Sequence, residues 1–180
     1  MEPDLIALFI SLLIIAVFFF TTLVTGSPPL ASSAMAQATM FAALPGRLPG
    51  EGQGVIYELG SGWGGVAIGL ADKYPKHKVV GFELSFVPWL YSRLKIAISA
   101  SNNLTFRLAS FYASDLADAD LVVCYLMPRT MSRLSEKLDR ELKPGALVLS
   151  NSFSLPGWQA VDDFVIHDAH LSHIYLYEKT

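Results

Sequence analysis

The chain has 180 residues, enough for one domain and an attachment, with 16% charged residues and a formal net charge of −3. Its mean hydropathy of +0.42 is too high for an ordinary soluble domain. With Glu2 and Asp4 set aside, 13 basic residues face 14 acidic ones, which leaves no electrostatic footprint for nucleic acid.

The apolar excess is local. Residues 5–25 (LIALFISLLIIAVFFFTTLVT) carry no charge, and a helix of that length spans about 30 Å, the thickness of a bilayer core. Ala34-Met35-Ala36 resembles a signal-peptidase site. The n-region Met-Glu-Pro-Asp lacks positive charge, however, and the apolar run is longer than a usual h-region. An uncleaved transmembrane anchor over residues 1–26 is the expectation. All Lys and Arg lie at or after Arg47, so the positive-inside tendency points to a single-pass membrane protein whose globular part faces the cytoplasm.

Residues 27–49 read as a linker followed by a short helix. Pro28 and Pro29 interrupt any continuing helix, and 32–44 (SSAMAQATMFAAL) is an Ala-rich stretch with serines to cap it. Residues 50–180 form the globular domain. "GVIYEL" is a short apolar run that ends in glycines, hence a buried strand. In "GGVAIGLADKY", Val66, Leu70 and Tyr74 share one helical face with Ala67 and Ala71 beside it. "KVVGFEL" is a second strand. The helix "FVPWLYSRLKIAIS" takes Leu90, Leu94 and Ile98 as its apolar stripe. "LTFRLASF" and "DLVVCYL" are further strands, and Cys124 in the latter reads as a small buried core residue. A single cysteine excludes an intrachain disulfide framework. The next helix places Met131, Leu134, Leu138 and Leu142 in register, and "KPG" stops it. "ALVLSNSF" is a strand, and "FVIHD" and "HIYLYEK" close the chain as a strand pair.

This alternation predicts an α/β, Rossmann-like, largely parallel sheet of seven strands. The last pair has no room for a crossover helix, so an antiparallel last strand is expected. His167, His170 and His173 fall on a strand, turn and strand, where they do not converge, so no metal is expected.

"YELGSGWGG" (57–65) carries the chemistry. Gly60, Gly62 and Gly65 match the dinucleotide fingerprint, and Glu58, Gly60, Gly62 and Gly64 match E-x-G-x-G-x-G, the loop that holds S-adenosylmethionine. Glycines let a backbone approach a ligand, and the helix start behind them offers free amides. Glu83 ends the second strand, where a carboxylate can accept bonds from ribose hydroxyls, a group common to both cofactors. Glu58 discriminates between them. A carboxylate at a buried strand end is costly unless a cation or donors meet it, and a methionine ammonium would.

In order, "YELGSGWG", "GFELS", "YLMP", "ELKPG" and "PGW" resemble the class I S-adenosylmethionine-dependent methyltransferases. Within them the chain resembles archaeal protein-lysine methyltransferases and the membrane-anchored mitochondrial lysine methyltransferases that modify ATP synthase. The resemblance implies that Glu58, Gly60, Ser61 and Gly62 hold the methionine part of S-adenosylmethionine and that Glu83 holds its ribose. It implies further that Ser110 and Phe111 line the adenine pocket and that Tyr125 sits beside the transferred methyl group. Asn151, Pro156 and Trp158 would shape the substrate entrance. Ser150-Asn151-Ser152-Phe153 stands where the group often has Ser-His-Asp-Phe.

The expected function is membrane-anchored methylation of a protein side chain, lysine above all, close to the bilayer. The alternatives are a small lipophilic acceptor such as a quinone or lipid headgroup, and a nucleotide-binding module without turnover. Neither a nucleic acid nor a metal partner is expected.

Overall fold

The structure, a computed structural model, describes residues 4–9, 11–12, 16, 32–49, 54–98, 101–166 and 172–180. The chain divides into two compact units, Met1–Leu30 and Ala31–Thr180. In the first, residues 4–9, 11–12 and 16 are helical, and Leu5, Leu8, Phe9 and Leu12 are exposed. Most of the 5–25 run, and with it most of the expected anchor, lies outside the described residues. Among the described residues no helix is long and apolar enough to cross a membrane. The single-pass membrane localisation, with its transmembrane helix and cytoplasm-facing domain, is corrected accordingly. Hydropathy records how apolar a run is, whereas a crossing needs an unbroken helix of about 20 residues, which the described stretches do not supply.

The second unit begins with helix α1 (Ala34–Ala43), whose first turn is capped by the Ser33 side chain accepting from the Ala36 amide at 3.1 Å. Strand β1 (Val55–Leu59), helix α2 (Gly65–Lys73), β2 (Lys78–Glu83), helix α3 (Phe86–Ile98) and β3 (Leu104–Leu108) follow. After a single 3-10 turn (Phe111–Ala113) come β4 (Ala119–Cys124), helix α4 (Pro128–Glu141), β5 (Leu147–Asn151), β6 (Asp162–Val165) and β7 (His173–Glu178). The seven strands form one sheet in the order β3-β2-β1-β4-β5-β7-β6. The five strands from β3 to β5 pair in parallel, and β7 runs antiparallel to both β5 and β6. The expected α/β sheet with an antiparallel last strand is present. The described part of the closing pair starts two residues earlier than "FVIHD", and residues 167–171, with His167 and His170, lie outside the described residues.

Strand alternation builds two cores. Ile56, Val79, Leu121 and Leu149 face α1 and α2, which contribute Met40, Val66 and Leu70, with Leu44 just past the end of α1. Tyr57, Val80, Val122 and Val148 face the other way, against Met131, Leu134 and Leu138 of α4. Both faces of the central strands are covered, which explains why those strands read as continuous apolar runs rather than alternating ones. Cys124 is buried in the α4 core, as expected, and burial pushes its thiol up to about 11.

One helix faces opposite to expectation. Leu90, Leu94 and Ile98 of α3 point to solvent, while Pro88 and Ser92 are buried and Trp89 and Ile96 pack against the α1–α2 core. The helix is apolar nearly all round, so periodicity alone does not choose between the Leu90, Leu94 and Ile98 face and the face of Pro88, Trp89, Ser92 and Ile96 that packs inward.

Candidate cofactor site

The site lies at the carboxyl ends of β1, β2 and β4, where open α/β sheets place their ligands. The glycine loop leaves β1 and is tied down at once. The Gly60 and Ser61 amides both donate to the Phe82 carbonyl of β2, at 2.9 and 2.8 Å. Gly60, Gly62 and Gly64 adopt φ of 79°, 50° and 75°, a left-handed path that side chains resist. Beneath the loop, Gly81 leaves room that nothing larger would: a Cβ there would lie 2.6 Å from Phe106 and 2.9 Å from the Ser61 Cβ. Ser92 of α3 completes the scaffold by donating to the Gly62 carbonyl at 3.1 Å.

Two polar atoms at this loop are buried without a hydrogen-bond partner, Glu58 Oε2 and Ser61 Oγ. Orphaned buried acceptors are uncommon and call for an explanation. Burial holds the Glu58 carboxyl well above its ordinary range; the Glu83 charge adds to this and a bond from the Ala67 amide opposes it. A cationic donor meeting Glu58 Oε2 would relieve both effects.

Glu83 serves the loop itself. Its Oε2 accepts from the Gly62 amide at 2.8 Å, and its Oε1 accepts from the Leu84 and Ser85 amides at 2.9 and 2.7 Å. Each carboxylate oxygen offers two lone-pair sites. Oε1 is therefore fully used, and Oε2 keeps one site for a ligand hydroxyl. Beside Glu83, the Ala109 amide donates to the Glu83 carbonyl, which brings Ser110 to the same edge. The Ser110 side chain caps the following 3-10 turn, and Phe111 turns into the α4 core with 6% exposure. Ser110 is thus placed near the site, and Phe111 is buried next to it in the core that includes Leu59 and Phe82.

Tyr125 and Leu126 follow β4 directly, and the Leu126 side chain reaches within 3.0 Å of a Cβ built at Gly60. Tyr125 is half-buried at this end of the sheet. Asn151 ends β5 and is 2% exposed. Its Nδ2 donates to Ser32 Oγ at 3.3 Å, and its Oδ1 accepts from Ser152 Oγ at 3.0 Å. Ser152 itself has φ of 67°, a conformation unusual outside glycine. Trp158 lies elsewhere. It meets Tyr177 edge-on and Lys179 above its ring, in a cavity of about 450 Å³ that Pro156, Ser135 and Asp139 also line. The structure therefore brings Glu58, Gly60, Ser61, Gly62, Glu83, Ser110 and Tyr125 to one end of the sheet. Pro156 and Trp158 lie against α4.

Sequence reasoning missed Gln37. Its Nε2 donates to the Ser32 carbonyl at 2.9 Å, and its amide lies 3.4 Å from a Cβ built at Gly65. The start of α1 thereby packs against the start of α2, where the glycine loop ends. No sequence signal marked it, because the contact depends on where α1 packs. Among the described residues no cluster of His, Cys, Asp or Glu could hold a metal. His173 instead meets Asp163 at 2.8 Å.

Residues 58–162 match a family described as the ANTKMT methyltransferase domain. A protein-lysine N-methyltransferase of Saccharolobus islandicus is 30% identical over 130 residues, which is 68% of this chain and 78% of that enzyme. A Mus musculus lysine N-methyltransferase named for ATP synthase is 35% identical over 114 residues, 59% of this chain but 42% of that protein. The chain thus spans less than half of the mouse relative. In fold, the chain resembles an RNA methyltransferase of Salinibacter ruber crystallised with S-adenosyl-L-homocysteine. The TM-score is 0.69 at 22% identity, covering 83% of this chain and 93% of the other.

Proposed function

We propose, on the premise that the chain belongs to the ANTKMT methyltransferase domain family and is an S-adenosylmethionine-dependent methyltransferase, that it methylates lysine side chains of a protein. The observation that carries the reading is the pair of orphaned acceptors, Glu58 Oε2 and Ser61 Oγ, beside a glycine loop in left-handed conformation. They fit the amino-acid end of the cofactor, and the free site on Glu83 Oε2 fits its ribose. The relatives named as lysine methyltransferases support the choice of acceptor. Residues 50–180 form the methyltransferase domain in this reading, with the linker and short helix of 27–49 leading into it.

S-adenosylmethionine supplies an activated methyl group on a sulfonium. The protein's part is to align donor and acceptor and to exclude water. Glu58, Gly60, Ser61 and Gly62 hold the methionine end, and Gln37 of α1 packs where the glycine loop ends. Glu83 holds both the loop and the ribose, with Ser110 at the adenine edge. A lysine must shed its proton before it can attack, and entry into a desolvated pocket lowers its pKa. No strong base is then needed. Tyr125 positions the amine through its hydroxyl or its carbonyl, and Asn151 borders the entrance. The test is incubation of the purified protein with methyl-labelled S-adenosylmethionine and a cell extract. Label in a protein band, recovered as methyl-lysine after hydrolysis, is the expected result. Label confined to the organic extract overturns the lysine reading.

A further inference from the structure

We infer that the outward face of α3 is a docking surface for an apolar helix, bordered by acidic side chains, on the protein that accepts the methyl group. This rests on the methyltransferase reading above and adds how the acceptor is gripped. The face is one continuous stripe. Val87, Leu90, Tyr91, Leu94 and Ile98 recur at helical spacing, with Phe86 beside them. Leu94 is 59% exposed and Ile98 90%. An apolar patch of this continuity marks an interaction site more often than a free surface.

Three observations narrow the occupant. The stripe adjoins the cofactor site, because Tyr91 meets Trp63 of the glycine loop edge-on at 5.5 Å between centroids. A partner lying along α3 thus has one end at the glycine loop, on the cofactor end of the sheet. On the helix itself the charge has one sign: helical spacing sets Arg93 on one flank and Lys95 on the other, and the sequence from Leu84 to Ser114 has no Asp or Glu. Acidic flanks on the partner complement this, as charges across an interface generally do. The same charge disfavours a second copy of this chain. A two-fold contact sets the same patch against itself, which would bring the basic flanks of the two copies together. A lipid surface is less favoured, since basic segments that bind anionic lipid gather about four to eight Lys or Arg, and this face has two.

The test uses the full chain and two synthetic peptides of about 20 residues, long enough to hold a helix. Both carry one leucine face; one has glutamate flanks and the other lysine flanks. Binding is read by fluorescence anisotropy. The expected result is that the acidic peptide binds at least about ten-fold more tightly, and that Leu94→Asp with Ile98→Asp removes about that factor. The same double variant should lose about ten-fold in label transfer into protein while its S-adenosylhomocysteine affinity, read by calorimetry, is unchanged. Both residues lie outside the cofactor site, so retained cofactor affinity also reports a folded protein. Equal binding of the two peptides overturns the inference, as does unchanged label transfer in the variant. It is also overturned if the double substitution abolishes self-association of the chain or its flotation with phosphatidylglycerol vesicles instead. If the unsubstituted chain binds no S-adenosylhomocysteine, the methyltransferase reading itself fails, a result distinct from the others.

Discussion

At the scale of single residues, the two glutamates of the site do different work. Glu58 is buried, its carboxyl held above the ordinary range by desolvation and by Glu83. The folded protein therefore binds the Glu58 proton more tightly than the unfolded chain does. Its contribution to stability is fullest below the ordinary carboxylate pKa of 4.5 and is lost as pH rises through the folded value. Glu58→Gln should flatten that loss, seen as a urea midpoint that falls less as pH is raised from acid to neutral. The same change should weaken S-adenosylmethionine binding by about ten- to a hundred-fold, the value of a hydrogen bond to a charged group. Unchanged affinity in calorimetry would remove Glu58 from the site. Glu83 accepts from three amides, so Glu83→Ala leaves the Gly62, Leu84 and Ser85 amides without their partner. We expect it to lower stability by about 1–3 kcal/mol as well as affinity. A mutant that binds the cofactor poorly but melts normally would confine Glu83 to a ligand contact.

At the scale of elements, what the sequence discloses depends on whether the signal is local. The glycine loop, Glu58 and Glu83 are legible because their spacing along the chain is itself the motif. The α4 stripe of Met131, Leu134, Leu138 and Leu142 is legible because its other face is polar, and all four residues are buried. The α3 stripe is misread because that helix has two apolar faces, and tertiary contacts, Ser92 to the Gly62 carbonyl and Trp89 to the Phe106 carbonyl, hold the other one inward. The surroundings of Trp158 are not legible for a related reason: beside it the Ser135 hydroxyl donates to the Pro156 carbonyl, a contact 21 residues apart in sequence. Gly81 shows what packing adds to a motif. It is an ordinary strand residue in sequence, yet a methyl group there would collide with Phe106 and Ser61. Gly81→Ala should cost about 1–3 kcal/mol, as overpacking does, and should weaken cofactor binding as well because Ser61 must move. Thermal melts with and without S-adenosylhomocysteine will show whether the two losses travel together.

At the scale of the whole catalytic unit, the two ends of the sheet carry separate duties. At the amino end, Asp120 is fully buried at the start of β4. Lys143 lies 2.5 Å from its Oδ1 and His77 3.9 Å from its Oδ2. Lys143 is partly exposed, so Lys143→Met should cost about 1–3 kcal/mol by leaving a buried carboxylate poorly paired. Because this brace is remote from the glycine loop, cofactor affinity should hold while the urea midpoint falls; a parallel drop in affinity would show that the two ends are coupled. The same unit contains a gauge for such measurements. Cys124 is the only thiol in the chain and lies 1% exposed in a central strand, with its pKa pushed up to about 11. An alkylating reagent can reach it only when the sheet opens. The labelling rate at mildly alkaline pH therefore counts opening events, and a ligand that binds the closed form slows it by the factor one plus ligand concentration over Kd. Affinity for the cofactor, and for any acceptor held on α3, can thus be read from how long one sulfur atom stays silent.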